Sequence, residues 1–287
     1  MVRNSMMEVI KDEHCSLTVF HDHFNRRVRI DDYRGNIQSV IEYGLRIARQ
    51  HKAEKLIFKV RREHASAFLE NGFLLEGKIE GYFLGSDCLF FSRFLTPGRK
   101  TSSSWVEEDE MIDKVAILKR NVKAAIPPVD YQLKKLGGQD SVQLAALYDK
   151  VFSIYPTPMN DPEYIKKTIQ EGTIYFGFDY KGEIVSASSA EINSFYQNAE
   201  LTDCATLKEH RQYGLMKLLL LQLEKELKDM GIFCSYSLAR ALSFGMNAAL
   251  HQLGYSYRGR LANNCLIFDK MEDMNIWCRN LAEDTEE

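Results

Sequence analysis

The residues best suited to chemistry lie in one stretch. Thr202-Asp203-Cys204-Ala205-Thr206-Leu207-Lys208-Glu209-His210-Arg211-Gln212-Tyr213-Gly214-Leu215-Met216 runs straight into Lys217-Leu218-Leu219-Leu220-Leu221. It reads as a β-strand, a short basic turn and an apolar helix, with Arg211-x-x-Gly214 where the helix begins. Such a turn leaves the first N–H groups of the helix without partners, all aimed at one spot. With the positive end of the helix dipole behind them, they suit a diphosphate. A side chain in place of Gly214 would hold a phosphate away from the main chain. Arg-x-x-Gly alone also fits an ordinary strand–helix connection, so the elements around it must decide.

The helix over 213–230 carries Met216, Leu219, Leu220, Leu223, Leu227 and Met230 at the three-to-four spacing of a core-facing stripe. Glu224, Lys225, Lys228 and Asp229 form its other face, and Gly231 ends it. A strand over 232–238, a short helix over 245–253 ending at Gly254-Tyr255, and a last strand near 265–268 follow. Before the turn, residues 131–136 read as a strand and 145–152 as a helix. The first hundred residues partly repeat this order: helix 37–50, strand 55–60, helix 63–69 ending in Asn71-Gly72-Phe73, then strands 77–83 and 88–94. Their first helix follows Asp31-Asp32-Tyr33-Arg34-Gly35-Asn36, which is acidic and unsuited to a diphosphate. Polar, turn-forming residues 96–104, the acidic run 107–110, a short helix near 114–125 and Pro127-Pro128 mark a boundary. The expected organisation is α/β: an N-terminal domain 1–105, a linker 106–128, a second domain 129–275 and a tail 276–287.

The order strand, Arg-x-x-Gly turn, long helix, strand, short helix, strand resembles the acyl-CoA-binding half of the GNAT N-acetyltransferase superfamily. The superfamily motif is Gln/Arg-x-x-Gly-x-Gly/Ala; Arg211 and Gly214 match, whereas Met216 replaces the second small residue. Within the superfamily the chain resembles the beta-lysine N-acetyltransferases. The resemblance is carried by Tyr155-Pro156-x-Pro158 with Asp161-Pro162-Glu163-Tyr164-Ile165, by Glu200-x-Thr202-Asp203-x-Ala205-Thr206-Leu207, by Ala239-Arg240-Ala241-Leu242-Ser243-x-Gly245-Met246-Asn247, and by Leu253-Gly254-Tyr255-x-Tyr257-x-Gly259.

The resemblance implies a GNAT fold with a mixed sheet in the C-terminal half. The N-terminal part is expected to be either a degenerate GNAT half or an unrelated small α/β domain. Acetyl-CoA is implied as co-substrate, held by Ala205, Thr206, Leu207, Arg211, Gln212, Tyr213, Gly214, Leu215, Met216, Ser243 and Asn247, with no metal. The activity implied is acetylation of the distal amine of beta-lysine to N6-acetyl-beta-lysine, a compatible solute. The alternatives are another small amine, such as a polyamine or lysine, or an acyl-CoA sensor without turnover.

An amine with a pKa near about 10.4 must lose a proton before attacking a thioester. Glu200, eleven positions before Arg211, matches in spacing the general-base glutamate of histone-type members; a solvated strand-end charge is the alternative and Glu191 the reserve. Asp203 lies on the opposite face from Glu200 in a regular strand, so only a bulge brings both to one substrate. The resemblance places the N–H that meets the thioester oxygen near 205–207. The Tyr customary four residues before the Gly-aromatic pair is Leu250 here, and the customary Asn is Ser243, so Tyr255 or Tyr257 is left as acid or as core. Arg240 suits a bidentate grip on the substrate carboxylate, or a salt bridge, and Asp203, Glu191 or Asp161 suits the second ammonium.

A net charge of −3 excludes the basic excess of a nucleic-acid surface. No apolar run is long enough to span a membrane, and residues 1–8 lack a signal-peptide stretch. Six dispersed cysteines without a Cys-x-x-Cys pair fit free thiols in a reducing cytoplasm. His21-x-His23 without a third ligand reads as a strand face. Homodimerisation stays open.

Overall fold

The computed structural model describes residues 5–122 and 126–283. The N-terminal half contains β1 (Ser5–Lys11), β2 (Cys15–Asp22), β3 (Arg27–Gly35), α1 (Ile37–Gln50), β4 (Lys55–Arg61), α2 (Ala65–Glu70), β5 (Leu74–Phe83) and β6 (Ser86–Phe94). Two helices, α3 (Pro97–Lys100) and α4 (Trp105–Ala116), lead out of it. The C-terminal half contains β7 (Tyr131–Leu136), α5 (Ser141–Val151), α6 (Pro162–Gln170), β8 (Ile174–Tyr180), β9 (Glu183–Asn193), β10 (Asn198–Thr206) and α7 (Leu215–Asp229). It ends with β11 (Cys234–Arg240), α8 (Phe244–Gln252), β12 (Ser256–Ile267) and β13 (Lys270–Asn280). All strands belong to one mixed sheet in the order β1-β2-β3-β4-β6-β5-β12-β13-β11-β10-β9-β8-β7. The α/β character and mixed sheet agree with the sequence.

The repeat of element order extends to strand pairing. β3 and β4 are parallel across α1, β4 pairs antiparallel with β6, and β6 with β5. In the same way β10 and β11 are parallel across α7, β11 pairs antiparallel with β13, and β13 with β12. The two sets meet at a single ladder pair, Gly77 of β5 opposite Gly259 of β12.

Each half has its own helix-covered core. In α1 the buried residues Val40, Ile41, Gly44, Ile47 and Ala48 lie on one stripe, against Phe58, Phe68, Phe73 and Phe91. In α7 the stripe is Leu215, Leu219, Leu220, Leu223 and Leu227. A third cluster, including Ile57, Ile79, Tyr82, Tyr236 and Ile276, joins the halves on the opposite face of the sheet.

Four expectations need correction. Glu224 is on the buried side of α7, 4% exposed, and pairs with Arg279 at 3.0 Å. Residues 276–280, expected as tail, belong to β13, between β12 and β11 in the sheet. Within that strand Glu272, Asp273 and Asn275 are buried, and each has a partner: Arg240, the Asn263 amide and Asn247 respectively. The stretch expected as linker begins with α4, whose Glu108 is buried beside Arg260 at 3.3 Å. The helix expected over 114–125 ends at Ala116, and its last residues, 123–125, lie outside the described part, as do tail residues 284–287.

Candidate active site

β10 and β11 pair only at Asn198–Cys234, Ala199–Ser235 and Glu200–Tyr236. Both strands continue, to Thr206 and Arg240, without further pairing between them. The register of β10 with β9 shifts between Thr202 and Ala205, and Asp203 takes a left-handed backbone with φ +51°. A bulge of this kind bends its strand and increases the local twist. The edges diverge immediately after Glu200. They open a cleft of about 570 Å³ between Leu201, Thr202 and Thr206 on one wall and Ser237, Leu238 and Arg240 on the other.

At one end of the cleft lies the basic turn. Gly214 sits at the start of α7 with φ +64°, the left-handed region that favours glycine. No side chain caps this helix, and a Cβ on Gly214 would meet nothing within 4 Å. The first amides of α7 are therefore open to a ligand. Arg211 donates from Nε to the Thr206 carbonyl at 3.1 Å, which holds its guanidinium against the turn. Gly214, Leu215 and Met216 line the cleft; Gln212 is exposed and Tyr213 packs on Tyr131 with ring centroids 5.2 Å apart.

The N-terminal half has the same split without the same opening. β3 and β4 pair only as far as Ile30–Phe58, and Asp31 is the extra residue of a bulge against β2. Here Arg61 fills the gap, reaching Asp32 at 2.8 Å and the Tyr33 carbonyl at 3.4 Å. The start of α1 is closed by Asn36, whose side chain accepts from the Ser39 amide at 3.0 Å.

Three carboxylates gather where β10 and β11 part. Glu191 and Glu200 are directly opposed on β9 and β10 and so share a face of the sheet. The bulge brings Asp203 within their electrostatic reach, so the bulge on which its involvement depended is present. Burial raises the pKa of all three. The charges of Asp203 and Glu200 add to the rise at Glu191, whereas Lys59 and Arg29 oppose it at Glu200. The Glu191 side of the group is exposed to water. The Asp203 carboxylate accepts from Ser189 Oγ at 2.8 Å, and Tyr148 donates to its main-chain carbonyl, also at 2.8 Å.

Other expected site residues have different places. Tyr255 is fully buried and shares a 2.7 Å hydrogen bond with Ser235, which removes it from the cleft and from acid catalysis. Tyr257 packs edge-on against Trp277, 5.8 Å between centroids, and Leu250 is in the core. Asn247 is buried with its side chain fully occupied: it donates to the carbonyls of Arg240 and Ser243 and accepts from Asn275 and Trp277. It therefore shapes the α8 end of the cleft and does not touch a ligand. The Leu207 amide donates to Val185 on β9 at 3.0 Å and Ala205 is paired with Ala187, so both belong to the ladder. Because amides alternate along a strand, that of Thr206 faces the gap. Ser243 and Arg240 line the cleft; Arg240 lies 3.6 Å from Glu272 and over the Phe268 ring at 4.8 Å. Not anticipated were Phe152, Tyr155 and Phe268, whose rings, tilted at 34° to one another in each pair, close one side of the cleft. They come from two loops far apart in sequence, and only the Tyr155-Pro156 segment had stood out.

A split pair of parallel strands, an uncapped helix start behind a left-handed glycine, and a carboxylate at the split define an acetyl-CoA-dependent N-acetyltransferase. Residues 142–255 match the sequence profile of the Acetyltransferase (GNAT) family. The chain is 39% identical to N-acetyltransferase YodP of Bacillus subtilis, over 96% of this chain and 100% of that one. It is 35% identical to the Beta-lysine N(6)-acetyltransferase of Methanococcus maripaludis, over 94% of this chain and 98% of that one. It is also 35% identical to that of Methanosarcina mazei, over 87% of this chain and 100% of that one. The chain belongs to the GNAT acetyltransferase family, whose members use acetyl-CoA as co-substrate. No helix among the described residues is long and apolar enough to cross a membrane.

Reversing the charge at the turn gives a direct check. Arg211→Glu places a carboxylate beside the open amides of α7 and removes the cation held there. Acetyl-CoA affinity measured by calorimetry is expected to fall about tenfold or more, in line with loss of a charge-assisted hydrogen bond. The exposed position of Arg211 leaves the thermal midpoint unchanged.

Proposed function

We propose that the protein transfers the acetyl group of acetyl-CoA to the distal amine of beta-lysine (3,6-diaminohexanoate). The observation that carries this reading is the convergence of Glu191, Glu200 and Asp203 where the strands part. That is more negative charge than one amine needs, and it suits a substrate with two ammonium groups. The two relatives named for this activity, similar along nearly their whole length, support it.

In this reading the α7 amides, Gly214 and Arg211 hold the diphosphate, and the unpaired edges of β10 and β11 receive the pantetheine arm. The co-substrate supplies an acetyl thioester. Glu200 takes the proton from the attacking ammonium, directly or through one water. The Thr206 amide faces the developing negative charge on oxygen. The thiol leaves readily without a dedicated acid, because thiols titrate near about 8.5. Asp203 and Glu191 hold the second ammonium. Acetylation removes one positive charge from a molecule with two ammonium groups and one carboxylate. The product is neutral overall, which suits a solute kept at high concentration.

A carboxylate-free diamine is the competing substrate, since the three acids would receive it equally well. Turnover followed by thiol release separates the two. Beta-lysine, lysine, spermidine and 1,4-diaminopentane are offered at equal concentration. The expected result is the highest kcat/KM for beta-lysine; a higher value for spermidine or 1,4-diaminopentane would sink the proposal.

A further inference from the structure

Val28 and Ile30 of β3 and Leu56, Phe58 and Val60 of β4 lie in the core beneath α1. Strand alternation turns Arg27, Arg29, Lys55, Lys59 and Arg61 to the other face, and the Asp31 bulge adds a carboxylate there. That face packs against the C-terminal half, where apolar side chains would be the usual choice. Most of its charges have structural work between the halves. Arg27 bonds Asp22 and the Asn264 carbonyl, Lys55 bonds Glu76 and the Ala262 carbonyl, and Arg61 bonds Asp32 and Tyr196.

Arg29 and Lys59 differ, because they share one carboxylate. Arg29 grips Asp31 with two bonds of 2.5 and 2.9 Å, and Lys59 reaches the same carboxylate at 3.1 Å. Among these three groups two cations meet one carboxylate, and Glu200 is the further carboxylate whose charge acts on Arg29. The group is also open to water: the Arg29 side chain is 25% exposed and that of Asp31 14%.

A short chain of contacts runs from this group to the catalytic strand. Lys59 Nζ donates to the Tyr82 hydroxyl at 2.8 Å, and the Tyr82 ring lies 5.8 Å from that of Tyr236. Tyr236 is the ladder partner of Glu200, and Asn198, two residues before Glu200, donates to the Tyr82 carbonyl at 2.8 Å. We propose that the N-terminal half supplies the carboxylate-recognising part of the substrate site, with Arg29, held by Asp31 and flanked by Lys59, as the specificity-determining residue. The fields agree with this placement, since Arg29 and Lys59 both act on Glu191 and Glu200. Once the ammonium groups of a diamino acid engage Glu191, Glu200 and Asp203, Arg29 and Lys59 keep only Asp31 between them, and the substrate carboxylate supplies the second negative charge. Arg240, on the opposite wall beside Glu272 and the Phe268 ring, is the competing candidate.

The inference rests on an amino-acid substrate, as proposed above, and its test separates the two. The quantity read is the kcat/KM ratio of beta-lysine to 1,4-diaminopentane, which is beta-lysine without its carboxylate. Arg29→Gln is expected to lower that ratio about tenfold to a hundredfold, mainly through KM for beta-lysine. The KM for acetyl-CoA should stay constant. Arg29→Lys, which keeps the charge and loses the fork, should recover part of the ratio and serves if the Gln variant folds poorly. An unchanged ratio with both substrates equally impaired makes Arg29 structural and overturns the inference. So does a ratio that collapses in Arg240→Gln and survives in Arg29→Gln. A wild-type enzyme indifferent to the carboxylate sinks both proposals. One that prefers another diamino acid sinks only the beta-lysine reading, and the Arg29 ratio is then taken on that amino acid and its decarboxylated counterpart.

Discussion

Glu200→Gln is expected to lower kcat by about a hundredfold or more while acetyl-CoA affinity is kept. The substitution preserves shape and removes the proton acceptor at the last paired residue before β10 and β11 diverge. The acetyl-CoA turn lies at the far end of β10, which is why the two effects separate. The pH profile adds a second signature. A base works in its ionised form, so the wild-type rate is lost as the pH falls through the carboxyl pKa. Burial has raised that pKa, so the acid limb lies above the roughly 4.3 of an exposed glutamate. The Gln variant loses this limb, and its residual rate climbs with pH as more of the amine becomes neutral. A variant with near wild-type turnover at pH 7 would remove Glu200 from the mechanism and move the role to Glu191 or to ordered water.

Gly259→Ala is expected to destabilise the fold strongly. Gly259 has φ +131°, and a Cβ there would stand 2.3 Å from the Glu76 carbonyl oxygen and 2.5 Å from Gly77 Cα. Both neighbours are backbone, so neither can rotate away. The pair Gly259–Gly77 is also the only ladder contact between β12 and β5. Overpacking and backbone strain together cost about 3 kcal/mol or more. For a chain of this size that lowers the thermal midpoint by roughly 6–12 °C. The melt should also lose cooperativity, as the halves separate at the seam. A midpoint within about 2 °C of wild type would mean that the strands slide apart without strain. Gly214→Ala is the control: its Cβ meets nothing within 4 Å, so only the left-handed backbone resists it.

The same contrast shows which parts of the site could be read from the chain. Helix 37–50 was legible in the sequence, and the structure supplies its local reasons, a buried apolar stripe and the Asn36 cap. The turn at Arg211–Gly214 was legible because a left-handed glycine at a helix start has a sequence signature. Glu200 was placed by spacing within a resemblance, and the split after it gives that position a geometric reason. Tyr255 misled because an aromatic after Leu-Gly has the same sequence whether it faces a cleft or a core. Its hydrogen bond to Ser235, twenty residues away, decides the matter. β13 was hidden because Glu272, Asp273 and Asn275 break the apolar pattern, and their partners lie on other elements.

By itself, the sequence determined the local periodicities, the open helix start, the repeated order of elements in the two halves and the family. Each of these depends on residues within a turn or two of one another, where side-chain type limits the backbone directly. Tertiary structure alone decided that Asp203 joins Glu200 and Glu191, since a bulge reverses strand alternation without leaving a mark on residue types. It alone closed the N-terminal slot with Arg61 while leaving the C-terminal one open. It also set Arg29 and Lys59 of β3 and β4 against carboxylates well over a hundred residues later in the chain. A charge of that kind looks, in sequence, like any solvated strand residue. Its meaning comes from the strand pairing that brings it to the face the two halves share.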